Sequence, residues 1–338
     1  MNSPGRVLVL GGTGFIGGHL CTAFAQAGDD VLAVASGPVT APPVPLLALD
    51  LLELAVPDLT ALLITERATA VVNATGAVWG ATDEDMTAVH AVLVERLVAA
   101  AADVPWRPRL IQLGSMYEYG PVPQGRPVDE ATDTRPVSWY GSTKLRGSRA
   151  VLAASRQGRV NGLVLRVSNT IGPGVPRDSL LGRTCEQLLA AGGDGPAVLH
   201  FTPLQDERDF VDISDVVRAV RAAVAAPVSG QVLNIGGGRV VGVRRLVEML
   251  IAVSGIAAHV VETAPPDEES RAVRSVGLGW VQADISAARR LLGWAPQRPL
   301  EESLHAIWHA AAIGAARRAS TRPSTPAPGT VAAMNDGR

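Results

Sequence analysis

The chain predicts an α/β fold, a doubly wound parallel sheet covered by helices and joined to a smaller lobe. Short apolar runs alternate with stretches of helical period through its first half, the pattern of parallel strands linked by crossover helices. The first run, Val7-Leu8-Val9-Leu10, passes into Gly11-Gly12-Thr13-Gly14-Phe15-Ile16-Gly17 and then into a helical stretch ending near Ala27. The apolar content of 47% is overwhelmingly aliphatic, with only 4% aromatic residues, as expected of strands buried on both faces.

The glycine run reads as strand, phosphate loop and helix. Glycines at 11, 14 and 17 permit a tight turn, close approach of backbone to a pyrophosphate, and close helix-on-strand packing, and the helix N-terminus offers free N–H groups to the anion. This makes the sheet Rossmann-type, with Gly11, Thr13, Gly14, Phe15, Ile16 and Gly17 as candidate cofactor ligands. A second strand, Asp30 to Ala35, ends in Ser36-Gly37-Pro38. An acidic residue there would hold the ribose 2′-hydroxyl of NAD and repel a 2′-phosphate. Ser36 stands in its place, so NAD and NADP are both admitted and NADP is favoured, although no arginine sits beside the loop. Leu46 to Leu49 is a third strand, and Asp50 at its end either meets the adenine or caps a turn. The fourth, Ala70 to Gly76, ends in small residues, so that Ala74 can lie against the nicotinamide-side ribose and phosphate. Helical period from Asp85 to Ala101 then leads to a fifth strand, Arg109 to Leu113.

Directly after that strand comes Ser115, and a loop later Tyr140-Gly141-Ser142-Thr143-Lys144. On a helix from Tyr140 to Leu152, Tyr140 and Lys144 share a face. A lysine ammonium beside a phenol stabilises the phenolate and lowers its pKa from about 10 towards the working pH. Ser115, at a strand's carboxyl end, can then hold a substrate oxygen. These three are the candidate catalytic residues.

With these residues in view the chain resembles an extended short-chain dehydrogenase/reductase of the nucleotide-sugar epimerase/dehydratase type. The resemblance runs from Arg6 to about Ala312 and includes Leu165-Arg166-Val167-Ser168-Asn169-Thr170-Ile171-Gly172-Pro173-Gly174, Arg208-Asp209-Phe210-Val211-Asp212, Val232-Leu233-Asn234-Ile235-Gly236 and Leu291-Leu292-Gly293-Trp294-Ala295-Pro296. It implies a Ser115, Tyr140 and Lys144 triad, with Tyr140 as proton donor or acceptor and Lys144 also touching the nicotinamide ribose. It further implies that Asn169 and Arg208 bind the diphosphate of a nucleotide sugar, dTDP- or UDP-linked. Arg208 has the planar fork of donors that phosphate oxygens suit. The 176–204 stretch, with Arg177 and Arg183, is expected to cover the substrate. Where the related 4,6-dehydratases carry Thr-Asp-Glu, this chain has Ser115, Met116 and Tyr117. Met116, expected against the substrate, cannot move a proton, which argues against a dehydratase. His90 stands where many relatives have asparagine and is expected to be a packed helix residue.

Net charge is −2, with Lys and Arg spread along the chain, which argues against a nucleic-acid or membrane surface. Cys21 and Cys185 have no ligand-like spacing, nor do His305 and His309, so no metal is expected. The expected organisation is a dinucleotide-binding part over 1–175, a mainly substrate-binding, interleaved lobe over 176–316, and a flexible tail over 317–338. A cytoplasmic enzyme, with a homodimer as the expected assembly, follows. Three functions share these residues: a ketoreductase acting on a 4-keto-6-deoxy nucleotide sugar with Tyr140 as proton donor, a 4-epimerase with tightly held NAD, and a non-catalytic NAD(P)-sensing protein.

Overall fold

The computed structural model describes residues 5–37, 42–78, 80–191, 195–264 and 279–320. Its strands are β1 (Arg6–Leu10), β2 (Val31–Ala35), β3 (Leu46–Ala48), β4 (Ala68–Asn73), β5 (Arg109–Ser115), β6 (Asn161–Val167) and β7 (Asn169–Ile171). They continue with β8 (Ala197–Phe201), β9 (Glu207–Asp212), β10 (Val232–Ile235), β11 (Val240–Gly242), β12 (Ala258–Glu262) and β13 (Trp280–Val281). A seven-stranded sheet has the order β10-β6-β5-β4-β1-β2-β3, every neighbouring pair parallel. Its order reverses between β1 and β4. At such a point the connections leave in opposite directions and a crevice opens beyond the carboxyl ends of the strands.

Both faces of the sheet are buried, which explains why its strands read as continuous apolar runs rather than alternating ones. Val7 and Val9 of β1 face α1 (Phe15–Gln26) and α7 (Ile213–Ala225); Leu8 and Leu10 face α2 (Val56–Thr65), α4 (Leu93–Asp103) and α5 (Trp139–Arg156). The helix expected over 85–101 is divided into α3 (Asp83–Thr87), a wider π turn over Ala88–Val92, and α4. Close packing of α5 accompanies that turn: a Cβ on Gly147 would lie 2.1 Å from the carbonyl oxygen of His90.

Smaller sheets follow. β9 pairs with β7, β11 and β13, and β8 pairs with β12. Around them α6 (Leu180–Ala190), α8 (Val243–Ser254) and α10 (Leu300–Ser320) bury Leu181, Leu188, Leu246, Leu250 and Leu304, while α9 (Ser286–Leu292) returns to the first core. Because β10 pairs with β6, the chain goes back to the large sheet after building β7 to β9. Of the flexible tail expected over 317–338, residues 317–320 are helical. An unbroken run of helix formers, Ala315-Ala316-Arg317-Arg318-Ala319, carries α10 to Ser320, and 321–338 lie outside the described residues. Among the described residues no helix is long and apolar enough to cross a membrane.

Candidate active site

At the switch point Gly11 adopts φ +75°, and its N–H donates to the carbonyl oxygen of Val34 at 2.8 Å. Each glycine of the loop answers to a different steric demand. A Cβ on Gly11 would approach the carbonyl of Ala74 to 2.9 Å, one on Gly12 the Cβ of Ala33 to 2.6 Å, and one on Gly17 the carbonyl of Gly11 to 2.0 Å. Gly14 is the least crowded of these, a Cβ there lying 3.3 Å from the carbonyl oxygen of Gly11, and it is exposed. It is also the N-cap of α1, with no side-chain cap and no acidic residue in the first turn. A bare backbone at an uncapped helix N-terminus fits a pyrophosphate. Thr13, Phe15 and Ile16 line the same turn, exposed or half-buried. Ser36 is exposed at the end of β2; Pro38 lies outside the described residues. Asp50 is exposed and its Oδ1 accepts from the N–H of Leu52 at 2.9 Å, so it caps a turn.

The three candidate catalytic residues come together at the carboxyl end of β5. Ser115 ends that strand and its Oγ accepts from the N–H of Tyr117 at 3.2 Å, closing a single tight turn over Met116–Glu118. Ser138 caps α5 by accepting from the N–H of Gly141 at 3.0 Å. Because Gly141 has no side chain, the helix start reaches that turn: a Cβ there would lie 2.5 Å from the carbonyl of Tyr117. Tyr140 therefore meets Ser115, and its ring stands edge-on to those of Tyr117, 5.8 Å between centroids, and His90, 5.3 Å. Lys144 lies one turn on, buried, with Nζ donating to the carbonyl of Leu113 at 3.3 Å and 5.9 Å from the Tyr140 ring centre.

The electrostatics correct one expectation. Burial pushes the Tyr140 phenol up to about 12, although its hydrogen bond with Ser115 pulls the other way. Burial likewise pushes Lys144 down to about 8, partly offset by the charge of Glu118. The lowered phenol does not arise from Lys144 alone, because desolvation of the phenolate outweighs an ammonium directed at the Leu113 carbonyl. Tyr140 thus rests as the acid. His90, also buried, is pushed down to about 3, first by burial and then by the charge of Lys144.

Beneath the trio lies a carboxylate that the sequence reading passed over. Glu118 is fully buried and accepts from the N–H of Ser115 at 2.9 Å, from Ser148 Oγ on α5 at 2.8 Å, and from Arg166 Nε on β6 at 2.7 Å. Gly114 makes room, since a Cβ there would meet Glu118 Oε1 at 2.5 Å. Two signals were available: Ser115 followed three residues later by glutamate is capping-box spacing, and Arg166 is a lone charge inside an apolar strand.

Pairing of β7 with β9 sets Asn169 opposite Phe210, two residues along the strand from Arg208. Asn169 Nδ2 donates to the carbonyl of Asp209 at 3.0 Å. Arg208 donates to the hydroxyl of Tyr117 and pairs with Asp206, while its buried Nε has no partner within the protein. Tyr117 is therefore the link between Arg208 and Tyr140. Two expected substrate residues lie elsewhere. The side chain of Met116 is 1% exposed and packs in the core with Tyr119, because the turn after Ser115 points it inward. Arg177 is exposed and paired with Glu186 of α6, its nearest opposite charge. A cleft of about 1220 Å³ runs along α1 and α7 and touches the glycine loop only at Thr13, Gly14 and Phe15. None of Ser115, Tyr140 and Lys144 lines it.

A nicotinamide-dinucleotide-dependent α/β enzyme, with Ser115, Tyr140 and Lys144 as its candidate site, is the class to which this fold and geometry point. The chain belongs to the NAD dependent epimerase/dehydratase family, whose sequence profile matches residues 7–236. It is 41% identical over 310 residues to a dTDP-6-deoxy-L-talose 4-dehydrogenase (NAD(P)(+)) of Kitasatospora kifunensis, covering 91% of this chain and 96% of that protein. It is 26% identical to a GDP-6-deoxy-D-mannose reductase of Pseudomonas aeruginosa, over 89% of this chain and 95% of that one. Among solved structures, MoeE5 in complex with UDP-glucose and NAD superposes with a TM-score of 0.78 at 26% identity, covering 94% of this chain and all of that one. The chain is thus an NAD(P)-dependent enzyme.

Proposed function

We propose that this enzyme reduces the C4 ketone of a 4-keto-6-deoxyhexose carried on a nucleoside diphosphate, dTDP before UDP, and that it takes NADPH at least as readily as NADH. One observation carries the reading: the groups at Tyr140 include hydroxyls, an ammonium and an imidazole but no free carboxylate, since the nearby Glu118 is locked into its pair with Arg166. Elimination of water across two sugar carbons is served by a pair of carboxyl groups, whereas Met116 carries no transferable proton and the Tyr117 hydroxyl is engaged by Arg208. The likeness to a 4-dehydrogenase over nearly the whole chain supports the same carbon, since dehydrogenation at C4 run backwards is reduction of that ketone.

The backbone of Gly11 to Gly17 would hold the pyrophosphate, and Lys144 the nicotinamide ribose. Bound there, the nicotinamide supplies the hydride. Ser115 Oγ and the Tyr140 hydroxyl hold the ketone oxygen by hydrogen bonds that strengthen as the oxygen gains negative charge. Tyr140, already protonated, donates its proton to that oxygen, and the buried ammonium of Lys144 stabilises the phenolate left behind. Arg208, with a free buried Nε, and Asn169 bind the diphosphate. Ser36 places no negative charge against a 2′-phosphate.

The test is turnover with a panel of dTDP-, UDP- and GDP-linked 4-keto-6-deoxy sugars, followed by absorbance of the reduced cofactor. One NADPH is consumed per sugar converted. Interconversion of UDP-glucose and UDP-galactose without consumption of added cofactor would overturn the reductase reading in favour of an epimerase.

A further inference from the structure

His90 is 1% exposed, lies in the π turn, and bonds to two separate parts of the site. Its Nε2 accepts from the backbone N–H of Ala77, in the segment after β4, at 3.1 Å. Its Nδ1 is 3.1 Å from Oγ1 of Thr143, which lies on α5 between Tyr140 and Lys144. The hydroxyl of Thr143 has a single proton, and it faces the carbonyls of Trp139 at 3.0 Å and Tyr140 at 3.1 Å. A backbone N–H can only donate, so Nε2 must be bare. A threonine whose proton serves a helix carbonyl must accept, so Nδ1 must carry the proton. Both partners demand the same neutral tautomer. Of the ionisable groups facing the ring, Tyr140 is in edge contact and the Lys144 ammonium opposes a second positive charge beside it.

We propose that His90, held as the neutral Nδ1–H imidazole, is a positioning residue that ties the segment after β4 to the catalytic helix and fixes the Tyr140 ring for proton transfer. The opposite tautomer or an imidazolium would set a donor against the N–H of Ala77, which would release one end of the tie. The π turn supports the role: inserting a residue into a helix re-aims a side chain, and such turns recur at functional sites. Here the turn puts the ring against α5 at the level of Tyr140.

The test has two arms, of which only the second rests on the reductase reading. Nitrogen-15 NMR of the uniformly labelled full-length protein, with His90 assigned by its loss in His90→Gln, reads the tautomer directly. We expect an Nδ1–H imidazole that does not titrate between pH 5.5 and 8.5. An Nε2–H form, or titration near the ordinary histidine value of about 6.5, overturns the proposal whatever the substrate proves to be. The second arm compares His90→Asn, which keeps a donor towards Thr143 but loses the acceptor for Ala77, with wild type. Misplacement of a catalytic group on this scale predicts a kcat lower by roughly ten- to a hundredfold, with KM for the nucleotide sugar within about twofold and the thermal midpoint close to wild type. Unchanged kcat overturns the proposal. If wild type turns over no 4-keto sugar, the reductase reading fails and the NMR result alone decides the role of His90.

Discussion

Removing the Glu118 carboxylate is the most informative perturbation of this fold, because three elements converge on one fully buried side chain. Glu118→Ala leaves the N–H of Ser115 and the hydroxyl of Ser148 without their acceptor and strands the guanidinium of Arg166, whose side chain is 5% exposed, in the sheet interior. Arg166 retains a neutral partner, Tyr119, over whose ring it stacks at 4.4 Å from the centre and with whose hydroxyl it interacts. Leaving one member of a buried ion pair uncompensated costs about 3–5 kcal/mol. Replacing both members, as in Glu118→Leu with Arg166→Met, removes the stranded charge and should recover most of that loss. Stability would return in the double variant, but activity would not, since Ser115 still lacks the acceptor that holds its backbone. Urea unfolding followed by circular dichroism measures the first quantity and steady-state reduction the second. A cost below about 1 kcal/mol for Glu118→Ala, or a double variant no more stable than the single, would refute the reasoning.

Tyr140→Phe should lower the reduction rate at least about a hundredfold while cofactor affinity stays near wild type, as measured by fluorescence titration; a variant retaining most activity would show that another group donates the proton. Because burial lowers Lys144 to about 8, its ammonium is present below that pH and is lost above it. The kcat/KM profile should therefore fall as pH rises through about 8, and a profile flat to pH 9.5 would remove Lys144 from the role given to it. Gly17→Ala forces a Cβ to 2.0 Å from the Gly11 carbonyl and should destabilise the fold. Gly14→Ala, whose Cβ meets the Gly11 carbonyl at 3.3 Å, should lower the thermal midpoint far less than Gly17→Ala yet weaken NADPH binding at least about tenfold, because that Cβ enters the space that a pyrophosphate would occupy; unchanged affinity would displace the phosphate from this loop.

Much of the architecture was legible because its determinants are local. The alternation of apolar runs and helical stretches specifies strands and crossovers, and the tight strand-to-helix turn is written in Gly11 and Gly17, where a positive φ and close backbone approaches require glycine. Tyr140 and Lys144 were legible for the same reason: four residues on a helix is one turn. What required the tertiary structure were contacts between segments far apart in sequence. Met116 points into the core and Arg177 pairs with Glu186, outcomes decided by how a turn and a loop seat on their neighbours. Glu118 and Arg166, separated by 48 residues, become an ion pair only when β5 and β6 lie side by side. The protonation states were likewise decided in three dimensions, since the sequence sets the Lys144 charge near the Tyr140 phenol, whereas burial by surrounding elements determines that desolvation prevails and leaves Tyr140 an acid.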